Sequence, residues 1–103
     1  MPREIEIGNV DQIPVGEGRT FIVGDQAIAV FHTRAGEVFA VQAYCPHRNG
    51  PLADGLTGDA TVTCPLHDRS FDLRTGLGIG TQDCVKSFPI HLKNQGTMSI
   101  LLD

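Results

Sequence analysis

The 103-residue sequence is 41% hydrophobic and 19% charged, too apolar for a disordered chain, and no apolar run is long enough to span a bilayer. A formal net charge of −4, with no basic stripe to displace phosphate counterions, excludes broad contact with nucleic acid. Three cysteines without a secretory leader argue against a disulfide framework and leave metal binding or a reactive thiol.

The length fits one domain over residues 1–103. The opening "MPREIEIGNV" has neither a basic n-region nor an apolar h-region, so a soluble cytoplasmic protein with no membrane contact is expected. From there almost every patterned stretch has period two. "REIEIGN" (3–9) alternates Ile5 and Ile7 with charged neighbours, and "RTFIVGDQAIAVFHT" (19–33) reads as two strands turning at Gly24-Asp25. "GEVFAVQA" (36–43) adds a third strand. "ATVTC" (60–64), "SFDLR" (70–74), "KSFPIHL" (86–92) and "TMSILL" (97–102) add four more. Turn chemistry separates them at Thr75-Gly76, the Gly-rich "TGLGIGT" (75–81) and Asn94-Gln95-Gly96. No window carries a helical period, so the expected fold is all-β, an antiparallel sandwich or barrel.

Two stretches between strands carry the chemistry. "YCPHRNG" (44–50) sits in a long connection over 44–59, and "TCPLHDR" (63–69) in a short turn over 64–69. The candidate ligands are Cys45, His47, Cys64 and His67, ordered C-x-H, then sixteen residues, then C-x2-H. Structural zinc is one reading, since Cys₂His₂ suits a tetrahedral ion. Zinc fingers, however, present a cysteine pair and a histidine pair, whereas here each loop supplies one of each. A single residue between Cys45 and His47 is also tight for convergence on one ion. A two-iron cluster removes that difficulty if the cysteines hold one iron and the histidines the other, because the two side chains of a loop then reach different atoms. Such a ligand set belongs to the Rieske [2Fe–2S] centre.

"CPHRNGPLADG" (45–55) with "CPLHDRSFDLRTG" (64–76) resembles a Rieske ferredoxin-type domain, and the likeness extends over essentially the whole chain. It implies a cluster-binding subdomain formed by two loops, about 44–69, and a role in one-electron transfer between redox partner proteins. High-potential members have extra disulfide-forming cysteines where this chain has Gly50 and Leu66, and hydroxyl donors where it has Arg69 and Phe71. Fewer hydrogen bonds to the cluster imply the low end of a range of about −150 to +300 mV. A Ser or Tyr at 69 or 71 is expected to raise the potential. Within the family, 11–55 and "DCVKSFPIHL" (83–92) resemble the small subunit of cytoplasmic NAD(P)H-dependent nitrite reductase, whose partner is the large subunit. The alternative is the free ferredoxin of aromatic-ring dioxygenases, partnered by a reductase and a terminal oxygenase. A zinc-binding or sensing module of the same fold is the third reading.

The other chemistry-bearing residues read as structural. Cys84 is expected to be a small buried residue, and His32 and His91 to be ordinary strand residues. Asp54 and Asp68 are expected in solvent, with Asp72 accepting backbone N–H bonds. Gly50-Pro51 and the "GLGIG" run suit either backbone close to the cluster or plain turns. Pro51, Leu52, Pro65 and Leu66 are expected to form an apolar docking rim.

Overall fold

The computed structural model describes residues 3–45, 50–58, 60–65 and 69–102. Strands β1 (Arg3–Asn9), β2 (Glu17–Val23), β3 (Gln26–His32) and β4 (Val38–Gln42) are followed by β5 (Leu56–Thr57), β6 (Thr61–Thr63) and β7 (Ser70–Asp72). Then come β8 (Gly78–Ile79), β9 (Ser87–Phe88), β10 (Ile90–Leu92) and β11 (Thr97–Leu102). Short 3-10 turns lie at Val10–Gln12, Leu52–Asp54 and Asn94–Gly96. Every named strand pairing is antiparallel, in sheets ordered β1-β11-β10, β2-β3-β4-β9 and β5-β6-β7-β8. No helix among the described residues is long and apolar enough to cross a membrane.

The expected meander forms as written. Val23 pairs with Gln26 across Gly24-Asp25, and Gly24 adopts φ 65°, the left-handed region that suits glycine as the first central residue of a tight hairpin turn. Two expectations change. "KSFPIHL" is not one strand: Pro89 has no N–H to give, and the chain switches sheets around it. Ser87 pairs with Val41, whereas Ile90 pairs with Ile100. The β5 and β8 strands fall inside stretches expected to be connection and turn. At two residues each, they are too short to display a period.

β3 and β4 explain why "AIAVF" looks continuously apolar. Ile28 and Val30 point into one buried cluster with Val38, Ala40, Met98 and Ile100. Ala29 and Phe31, the alternating residues, point into a second cluster with Val41, Leu52, Val62, Phe71 and both Cys45 and Cys64. The middle sheet is therefore covered on both faces, so period two there sorts side chains between two cores instead of between core and water. One core lies against the β1-β11-β10 sheet, and the other under the cysteine loops.

Candidate metal centre

Both cysteines begin loops whose necks are closed in the same way. The Cys45 N–H donates to the Gly50 carbonyl at 2.8 Å, and the Cys64 N–H donates to the Arg69 carbonyl at 2.6 Å. Residues 45–50 and 64–69 are thus each closed at the neck by the cysteine's own backbone. The first is held further by the Tyr44–Pro51 bridge and by the Leu52 N–H bonded to the Ala43 carbonyl at 2.9 Å. The second is the tip of the β6–β7 hairpin, where Thr63 and Ser70 pair and their hydroxyls share a 2.9 Å hydrogen bond. The long connection expected over 44–59 is in fact a closed loop followed by a 3-10 turn and β5.

β5 brings the two loops to the same end of the molecule by pairing Leu56 with Thr63, the residue before Cys64. Gly55 makes this approach possible. A Cβ there would lie 2.1 Å from the Thr63 carbonyl oxygen and 3.1 Å from that of Leu52. No side chain fits between the exit of the first loop and the entry to the second. Gly76 plays the same part farther along: its φ is 82°, and a Cβ would meet the Val85 carbonyl oxygen at 2.0 Å. In the "GLGIG" run the close approaches are to the backbone of the turn that follows: besides Gly76, a Cβ at Gly78 would lie 2.3 Å from the Asp83 carbonyl oxygen.

Cys45 and Cys64 are 0% and 1% exposed and belong to one apolar pack with Phe71 and Leu52. His47 and His67 lie outside the described residues, as do Leu66 and Asp68. Among the described residues no three Cys, His, Asp or Glu side chains gather into a metal site. Two soft sulfur donors, shielded from water at matching positions of two alike loops, fit the thiolate-held half of an iron–sulfur cluster.

Several expectations need correction. Cys84 is exposed, not buried: it lies in a turn where an isolated bridge pairs it with Leu77. Leu52 is fully buried beneath the loops, so it is core and not docking rim, whereas Pro65 is exposed and Pro51 half-buried. Others hold. Asp54 is exposed, and Asp72 accepts the Arg74 N–H at 2.7 Å. His91 is exposed, and the half-buried His32 ring bonds through Nδ1 to the Ile13 carbonyl at 2.9 Å.

Two features went unanticipated. Tyr44, next to Cys45, is 46% exposed. Arg69, at the exit of the second loop, has its guanidinium held by the Thr81 hydroxyl at 2.5 Å and the Asp83 carboxylate at 2.9 Å. Open grooves of about 330 and 240 Å³ lie beside Phe39 and Phe88 and beside Ile7 and Phe21. Neither is lined by a residue of the cysteine loops.

The Rieske [2Fe-2S] domain model matches residues 3–89. The 3-phenylpropionate/cinnamic acid dioxygenase ferredoxin subunit of Photorhabdus laumondii is 38% identical over 94 residues, covering 88% of each chain. The Sphingomonas yanoikuyae B1 ferredoxin superposes with a TM-score of 0.86 at 28% identity, over 98% of this chain and 100% of that one. A candidate NADH-dependent nitrite reductase small subunit from Mycobacterium tuberculosis superposes at 0.91 over 100% and 97%, at 20% identity, a likeness of fold alone. With 87 of its residues inside the domain model and a buried cysteine pair at the necks of two matching loops, the chain belongs to the Rieske [2Fe-2S] domain family, whose domain binds a [2Fe–2S] cluster.

Proposed function

We propose that Cys45 and Cys64 hold one iron of the cluster and His47 and His67 the other, and that the chain delivers single electrons to a larger oxidoreductase. The bound cluster supplies reversible one-electron chemistry. The protein's own part is to hold and shield. The neck hydrogen bonds at Cys45 and Cys64 fix where the thiolates point, and the apolar pack of Leu52, Phe71 and Val62 keeps water from the sulfur side. The exposed Pro65 and Tyr44 flank the loops at the end where a partner would dock. With Phe71 in place of a hydroxyl donor and Arg69 engaged by Thr81 and Asp83, the potential belongs at the low end of the Rieske range.

The partner we favour is the large subunit of a cytoplasmic NAD(P)H-dependent nitrite reductase. What supports this reading is the resemblance of two stretches, 11–55 and 83–92, to that subunit, and the two adjoin in the fold. The Gln42 N–H donates to the Lys86 carbonyl and the Lys86 N–H to the Gln42 side chain, both at 2.8 Å, while Val41 pairs with Ser87. Stretches far apart in sequence thus meet where β4 pairs with β9.

A second reading, the ferredoxin of an aromatic-ring dioxygenase, is favoured by the 38% identity to the Photorhabdus laumondii subunit. Anaerobic mixing of the cluster-loaded chain with each partner separates them. Reduction of nitrite by a siroheme-containing large subunit that depends on this chain supports the first reading. Turnover only with a reductase and terminal oxygenase overturns it in favour of the second. Purification as a colourless protein with one zinc overturns both.

A further inference from the structure

We infer that Arg69 and Asp83 form a charge-compensating clamp that holds the second loop and sets the cluster's reduction potential. The inference rests on the ligand assignment proposed above. Arg69 is two residues beyond His67, and its carbonyl closes the loop by accepting the Cys64 N–H. Its side chain reaches away from its own hairpin to Thr81 and Asp83. The receiving turn is itself braced. The Asp83 N–H donates to the Thr81 hydroxyl at 3.3 Å, and the Asp83 carbonyl accepts the Gly78 N–H at 3.0 Å. β8 in turn pairs with β7, where Ile79 faces Ser70, the residue after Arg69. Loop exit, β7, β8 and turn therefore form a closed ring of contacts, with the ion pair as its last link.

This pair differs from the other ion pairs among the described residues. Its side chains are 31% and 36% exposed, whereas those of the other three pairs are 44% to 59% exposed. A partly shielded charge beside a redox centre is less screened by solvent, so its compensation matters more. With both partners present the guanidinium is offset by the carboxylate. Without Asp83 a positive charge stands uncompensated at the loop exit and favours the more negative, reduced cluster. Without Arg69 the carboxylate is left and disfavours it. The two single changes must therefore move the potential in opposite directions. Mere loosening of the loop moves both the same way.

The test is redox titration of the cluster-loaded chain with Asp83→Asn, Arg69→Gln, Thr81→Val and the exchanged pair Arg69→Glu with Asp83→Lys. The expected midpoint rises for D83N, falls for R69Q, stays nearest the parent value for the exchanged pair, and moves least among single variants for T81V. If R69Q does not retain the cluster, D83N and D83K decide, with a stepwise rise expected. Shifts of the same sign for D83N and R69Q, or no rise across D83N and D83K, overturn the clamp. Failure of the unaltered chain to take up iron and sulfide overturns the ligand assignment itself, and the clamp with it.

Discussion

Replacing Gly55 by alanine tests whether the two cysteine loops depend on backbone contact. The added Cβ would sit 2.1 Å from the Thr63 carbonyl oxygen, where real contacts almost never fall under 3.0 Å. The backbone must therefore part by about 1 Å between residues whose rigid carbonyls cannot swing aside, as a long side chain could. Overpacking of this kind costs about 1–3 kcal/mol, and backbone on two sides puts this site at the upper end. For a chain of this size about 2–3 kcal/mol lowers the melting temperature by roughly 10–20 °C. The displaced residue adjoins Cys64, so cluster loading should fall as well. The assay is thermal unfolding followed by circular dichroism, together with iron content per chain. Gly24→Ala is the control. Nothing lies within 4 Å of a Cβ there, so only the strain of its φ of 65° is felt and iron content stays unchanged. A Gly55→Ala protein that melts within about 2 °C of the parent with full iron would refute close approach as the reason for glycine.

Three further outcomes are expected. Thr57 Oγ1 is buried with no hydrogen-bond partner among the described residues, so Thr57→Val removes an unsatisfied group. Urea unfolding should show a gain of about 1 kcal/mol at unchanged m-value. Because Cys84 is exposed, Cys84→Ser should leave iron content and visible spectrum unchanged, whereas Cys45→Ser and Cys64→Ser abolish both. Phe71 is fully buried in the same pack as both cysteines, and a phenolic donor there would stabilise the reduced state. Phe71→Tyr should therefore raise the midpoint potential in a redox titration. It is a cleaner probe than a serine at 69, which would also remove the ion pair to Asp83.

The parts of the fold legible in the sequence are those where chemistry and period agree. Gly24-Asp25 announced the β2–β3 hairpin because glycine there meets a real need for positive φ. The long strands β1 to β4 and β11 had enough residues to show alternation, and the paired C-P motifs marked both loops. The parts without a local signal depend on tertiary contact. Leu52 looks like any loop leucine, yet it is buried because the 3-10 turn after Gly50 folds it beneath the loops. Cys84 reads as core on residue type alone. Its exposure follows from the turn that β8 and Asp83 impose. The Arg69 contacts join positions 12 and 14 residues apart, and no local pattern encodes that meeting. Pro89 was visible, but its consequence, a change of sheet, required knowing that β4 and β11 flank it.

β3 acts as a party wall, with Ile28 and Val30 serving one room and Ala29 and Phe31 the other. Neither side can lose its packing without stripping the partition they share. Metal taken up at one end must accordingly tighten amide exchange in the far sheet. Damage at β11, remote from any ligand, must loosen the grip on iron by thermodynamic linkage.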